Sequence, residues 1–232
     1  MKTSKSKGGH LSERPYYTNS EIDRICRAQL EGVGLYPTSP EPVRIDRFIE
    51  KRFNLSISYD DLGPEILGLT KFGKSGVKEV VVARALEEEN TTSGERRVRS
   101  TIAHEAGHCL LHAHLFTSTG QCSLFPDGES TVPKVLCRDE GSSPLSKSYD
   151  GKWWEYQANR AIGGFLLPRE LVIKSIPEFM VPRGLLGILA FDDTRAQAAG
   201  AHVAEVFNVN PVVARFRLSE IFPADTVGQQ LL

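Results

Sequence analysis

Apolar residues return every third or fourth position along much of this chain and alternate with polar ones in a few short runs. Ile22, Ile25, Cys26, Leu30 and Val33 form one such stripe, with N-cap candidates in Thr18-Asn19-Ser20 just before it. That combination predicts a helix ending near Glu31. Ile45, Phe48, Ile49 and Phe53 predict a second helix over 43–53, with Asn54 at its end. Leu55-Ser56-Ile57-Ser58-Tyr59 alternates as a strand does. Two more strands, 67–72 and 79–83, flank the turn-like Gly73-Lys74-Ser75-Gly76.

The longest helical pattern follows. Ser93 is an N-cap candidate, and Val98, Ile102, Ala106, Cys109 and Ala113 recur at helical spacing, widened by Leu110 and Leu111. No proline interrupts 93–114, so a helix of about five turns is predicted. His104, His108 and Thr101 border its apolar side, as expected of a helix lining a cleft. After a connection over 115–152 rich in Ser, Pro, Asp and Gly, Trp154, Ala158, Ala161, Ile162 and Phe165 mark another helix, closed by Pro168. Two last helices, 194–207 and 211–221, meet at Asn208-Val209-Asn210.

These elements predict an α+β fold. A small mixed or antiparallel sheet packs on the long central helix, and a mostly helical C-terminal part follows. One sheet edge is expected to stay open to an extended peptide. Residues 1–16 read as an unstructured tail, 17–168 as the core, and 169–232 as a helical subdomain packed on it. There is no internal repeat.

Composition narrows the class. A chain of 232 residues buries a substantial core. A formal net charge of −1 creates no broad field for nucleic acid or an anionic membrane. No stretch approaches the roughly 18 apolar residues of a membrane span, and the polar, basic start lacks the apolar core of a secretory signal. Four Cys without a C-x-x-C pair make no disulfide framework. Cys26 and Cys109 fall on apolar helical positions and read as core thiols. Cys122 and Cys137, in the long connection, are open to pairing, to a second metal or to redox gating. The whole suits a cytoplasmic protein.

The chemistry sits in Thr101-Ile102-Ala103-His104-Glu105-Ala106-Gly107-His108, which carries H-E-x-x-H. Residues four apart share a helical face, so His104 and His108 can present two imidazoles to one ion. Glu105 can hold or deprotonate water there. Zinc suits such donors, taking neutral imidazole and carboxylate in a tetrahedral shell with an open position. Manganese and iron are further candidates. The bland alternative is a solvated helix face with an accidental match.

Three residues compete to be the third ligand. His114 has the spacing of the extended H-E-x-x-H-x-x-G-x-x-H class, but Leu111 replaces the glycine that turns the chain toward the metal. His112 lies a further turn along the His104/His108 stripe, which makes an in-line third ligand awkward. A role orienting a ligand or facing substrate suits it better, beside a plain surface position. Glu155 heads the second helix with Asn159 one turn on. The carboxylate can ligate while Asn159 bonds a ligand His and fixes its tautomer. An ordinary Glu at a helix start is the bland alternative.

Together the two helices resemble the ImmA/IrrE family of metallopeptidases. The resemblance lies in His104-Glu105-Ala106-Gly107-His108-Cys109-Leu110-Leu111-His112, then Glu155-Tyr156-Gln157-Ala158-Asn159-Arg160, then the Leu-Leu-Pro ending at Pro168. It implies a zinc-dependent peptidase with His104, His108 and Glu155 as ligands and Glu105 as catalytic acid/base. It further suggests a regulatory protein substrate such as a transcriptional repressor. Gly163-Gly164, Asn159 in place of Asp and the long connection depart from the family's pattern. Tyr156, Arg160 and His112 are candidates to stabilise the oxyanion. Two other classes stay open: a non-catalytic metal-binding stress sensor or scaffold, and a DNA-binding regulator acting through the C-terminal helices with Arg215 and Arg217.

Overall fold

Helix α1 (Asn19–Gly32) starts where Thr18 and Glu21 close a capping box. The Glu21 amide donates to Thr18 Oγ1, and the Thr18 amide donates to the Glu21 carboxylate at 2.9 Å. Two amides otherwise orphaned at the helix start are thereby satisfied. The predicted stripe is the buried one: Ile22, Cys26 and Leu30 point inward. Helix α2 (Ile45–Phe53) ends on Asn54 at φ 56°, a left-handed position that asparagine tolerates. It starts later than expected. Val43 lies before it, and its carbonyl accepts from the Arg99 guanidinium at 3.0 Å.

The structure, a computed structural model, describes residues 2–5, 13–73, 75–115, 134–138, 153–183, 188–190 and 193–223. Strands β1 (Lys2–Lys5) and β2 (Glu13–Tyr16) pair antiparallel. The expectation of an unstructured tail over 1–16 is thus corrected for these two strands. The reason is tertiary: Pro15 is buried, and its carbonyl accepts from the Gln157 side chain at 2.9 Å. No hydrophobic alternation announces such pairing.

The main sheet contains β3 (Ile57–Asp60), β4 (Ile66–Gly73), β5 (Gly76–Ala83) and β6 (Lys134–Arg138), in the order β3-β5-β4-β6. β3 runs parallel to β5, whereas β4 is antiparallel to both β5 and β6, so the sheet is mixed. β6 comes from the connection that had no strand signal, and it covers the side of β4 away from β5. After the short helix α3 (Arg84–Glu88), the long helix α4 (Thr92–Leu111) lies against the sheet. Its cap is Thr91, whose hydroxyl accepts from the Gly94 amide, and not Ser93.

Helix α5 (Trp153–Leu166) packs across α4. A Cβ added to Gly107 would lie 2.9 Å from Ala161 Cβ and 3.0 Å from Ala158 Cα, so glycine permits this close crossing. On its other side α5 packs on α1. There the Gly164 of the departing Gly163-Gly164 pair faces Cys26, whose Sγ would stand 2.9 Å from an added Cβ. Helix α6 (Arg169–Ser175), the strand pair β7 (Val181–Arg183) and β8 (Ile188–Ala190), and helices α7 (Asp193–Val206) and α8 (Pro211–Ile221) follow. The fold is α+β with a mostly helical C-terminal part, as expected.

One cluster of buried side chains runs from Ile22 and Phe48 through Val80, Ile102 and Phe165 to Phe207 and Ile221. The C-terminal helices therefore share the core of the sheet and α4. Arg217 of α8 is 3% exposed, donating to the Leu167 carbonyl, Asp23 and Glu220. Among the described residues, no helix is long and apolar enough to cross a membrane.

Candidate metal centre

Helix α4 is buried on nearly every side from Thr101 to Cys109, with the sheet against it and α5 across it. His104, Glu105 and His108 are all within this dry stretch, at 3%, 0% and 0% exposure. Charged and hydrogen-bonding groups are rare at such depth unless they meet partners. The partners here are each other. His104 Nε2 and His108 Nε2 stand 2.9 Å apart, and Glu155 Oε2 lies 3.1 Å from the first and 3.6 Å from the second.

That triangle has the dimensions of a metal shell. Donors held about 2.05 Å from a tetrahedral ion stand about 3.3 Å from one another. His104, His108 and Glu155 form a group able to hold a metal ion, each offering one ligand atom. The sequence pattern thus converges in space, although His104 and His108 come from one helix and Glu155 from the next. The Gly107 crossing makes the meeting achievable, since α5 must come close for the short Glu155 side chain to arrive.

Each imidazole is oriented from behind. Asn159 Oδ1 lies 2.8 Å from His104 Nδ1, so the amide oxygen accepts that N–H and leaves Nε2 bare. Behind His108, Nδ1 stands 2.9 Å from His112 Nδ1, and His112 Nε2 lies 3.1 Å from Gln157 Oε1. Trp153 sets its ring edge-on to His112 at 5.6 Å between centroids, and with Phe72 and Leu115 forms an apolar wall. Helix α4 does not continue to 114. It ends at Leu111 with His112 as C-cap, and the His112 side chain is fully buried behind His108. His114 is exposed and outside the donor group.

Glu105 is held from strand β4. Thr70 Oγ1 donates to Glu105 Oε2 at 2.5 Å, while Glu105 Oε1 is buried without a hydrogen-bond partner among the described residues. A Cβ on Gly68, two residues before Thr70 on the same strand face, would fall 2.9 Å from Glu105 Oε1. Neither Thr70 nor Gly68 was singled out from the sequence. The available signal was the alternation Gly68, Thr70, Phe72 on the sheet face turned to α4, where a threonine and a glycine are poor choices for a plain core.

Burial sets the electrostatics. It pushes the Glu105 carboxyl up to about 7, against the pull of His104 and the Thr70 hydroxyl. Burial also disfavours the charged form of Glu155, but His108 and His104 beside it hold that carboxyl well below its ordinary range. Burial lowers His108, and lowers His112 well below the ordinary imidazole value, which favours the neutral ring, the state in which imidazole ligates.

The remaining candidates lie elsewhere. Arg160 pairs with Glu220 and stacks on the Tyr156 ring at 4.8 Å, an arrangement tying α5 to α8. Cys26 and Cys109 are buried thiols, as expected. Cys137 lies on β6, and Cys122 falls outside the described residues. No family model matches the chain, and no curated protein matches it.

Proposed function

We propose that this protein is a zinc-dependent metallopeptidase, with His104, His108 and Glu155 holding the ion and Glu105 as general acid/base. The observation that carries this reading is the donor triangle itself, two imidazole nitrogens and one carboxylate oxygen within a few ångströms. Three protein donors of N, N and O type are what catalytic zinc sites use when a fourth position serves water or substrate. When bound, such an ion supplies positive charge that polarises a carbonyl and acidifies water near neutral pH.

The chain's own residues supply the rest. Thr70 holds one oxygen of Glu105, leaving the other, which has no hydrogen-bond partner among the described residues, to take a proton from water and return it to the leaving amine nitrogen. A carboxyl pushed up to about 7 is poised for both halves of that transfer. Asn159 keeps the His104 ring in place. The resemblance to ImmA/IrrE metallopeptidases, carried by the two helix motifs, supports amide hydrolysis and suggests a regulatory protein such as a transcriptional repressor as substrate.

The test measures zinc per chain and hydrolysis of a protein or peptide panel in wild type, Glu155→Ala and Glu105→Gln. One zinc in wild type, lost in Glu155→Ala, is expected. Glu105→Gln should keep the zinc and lose turnover. Turnover unaffected by Glu105→Gln overturns the acid/base assignment. Zinc binding without any hydrolysis in wild type points to the metal-holding sensor or scaffold instead.

A further inference from the structure

Behind His108 lies a row of polar groups that ends in the first residues of the chain. His108 Nδ1 meets His112 Nδ1 at 2.9 Å, His112 Nε2 meets Gln157 Oε1 at 3.1 Å, and Gln157 Nε2 donates to the Pro15 carbonyl at 2.9 Å. Every member is buried. The chemistry of the last member settles the direction of the whole row. A carbonyl only accepts, so the Gln157 amide must turn its NH2 toward Pro15 and its oxygen toward His112. That oxygen accepts the proton on His112 Nε2. A neutral ring protonated at Nε2 is bare at Nδ1, so His112 Nδ1 accepts from His108 Nδ1–H. His108 Nε2 is then left with its lone pair toward His104 and Glu155.

We propose that Gln157 and His112 are positioning residues for the metal centre: the row anchored on the Pro15 carbonyl fixes His108 in its ligating tautomer. The proposal rests on His104, His108 and Glu155 being a metal site. It assigns a purpose to features the peptidase reading leaves unused. These are a fully buried histidine that is no ligand, a buried glutamine on α5 two residues from Glu155, and an N-terminal strand docked on that glutamine.

At His104 the Asn159 amide oxygen meets Nδ1 directly. The row behind His108 instead ties its tautomer to β2, an element far away in sequence. Without the β2 carbonyl, Gln157 is free to rotate its amide and offer N–H to His112. His112 would then be bare at Nε2 and protonated at Nδ1, facing the N–H of His108. His108 relieves that conflict only by shifting its own proton to Nε2, the atom needed by the ion.

The experiment is zinc affinity by chelator competition on the full chain, in wild type, Gln157→Met, His112→Phe and His112→Asn, with thermal unfolding of each metal-free protein alongside. Methionine keeps the length of Gln157 but neither donates nor accepts usefully. Phenylalanine fills the His112 site without an acceptor. Asparagine returns an acceptor oxygen near the position of Nδ1. Gln157→Met and His112→Phe should weaken zinc binding by about 10- to 100-fold, the range for losing a partner behind a ligand. His112→Asn should recover most of that loss, which a merely space-filling role would not produce. If His112→Phe fails to fold, Gln157→Met decides. Wild-type zinc affinity in Gln157→Met, or a His112→Asn as weak as His112→Phe, overturns the proposal while leaving the metal centre standing. A wild type that binds no zinc removes the metal centre, and this inference with it.

Discussion

Thr70 donates its hydroxyl to Glu105 at 2.5 Å, joining strand β4 to helix α4 across 35 residues of sequence. Both side chains are buried, and a hydrogen bond to a charged group contributes about 1.5–3 kcal/mol. It also fixes which oxygen of Glu105 remains available. Thr70→Val keeps the shape and removes the donor. The expected result is unchanged zinc content with hydrolysis reduced by roughly tenfold to a hundredfold, the equivalent of that bond. Equal activity in Thr70→Val and wild type means that Glu105 needs no orientation from the sheet.

How much of this was legible beforehand depended on range. Capping at Thr18, the stripe of α1, the stop at Asn54 and the pair β4–β5 about Gly73-Lys74-Ser75-Gly76 all follow from neighbours within a few residues, and the expectations match. His104 and His108 were legible because helical spacing puts both on one face. Glu155 needed a second helix to arrive at the right depth, which sequence spacing does not encode but Gly107 permits. Thr70, Gln157 and Pro15 escaped because their partners are 35, 45 and 142 residues away. β6 and the N-terminal strands escaped because main-chain pairing leaves little hydrophobic signature.

Gly107 offers a test of the α4–α5 crossing. Replacing a mid-helix glycine with alanine ordinarily gains up to about 1 kcal/mol in helix propensity. Here the new methyl would sit 2.9 Å from Ala161 Cβ and 3.0 Å from Ala158 Cα, contacts that require backbone movement. Overpacking of this kind costs about 1–3 kcal/mol, so the clash outweighs the gain. Gly107→Ala should unfold at lower denaturant and bind zinc more weakly, since parting the helices pulls Glu155 from the imidazoles. A variant as stable as wild type, with the same zinc affinity, would show that the crossing has slack.

Arg217 separates the packing role of the C-terminal helices from a DNA-binding one. Its guanidinium is 3% exposed and committed to Asp23, Glu220 and the Leu167 carbonyl, leaving no face for a phosphate. Removing one partner of a buried ionic cluster costs about 3–5 kcal/mol because the remaining carboxylates stay behind unpaired. Arg217→Ala should therefore lower the unfolding free energy by about that amount. Salt-dependent binding to duplex DNA, abolished by Arg217→Ala at unchanged stability, is the outcome that restores the DNA-binding alternative.

Metal loading should register as stability. A ligand that binds only the folded chain stabilises it by about 2.7 kcal/mol at a free concentration one hundred times its Kd. For a domain of this size, each kcal/mol moves Tm by about 2–4 °C, which gives a rise of about 5–10 °C between chelator-treated and zinc-saturated protein. Unfolded chains also bind zinc through scattered His and Cys, which trims the rise without reversing it. Glu155→Ala removes one donor of the triangle, so its melt should barely respond to zinc. Asn159→Ala leaves all three donors and loosens only the His104 ring, so its response should fall between the two. Coincident melts of chelator-treated and zinc-saturated wild type would show that the three side chains do not hold the ion.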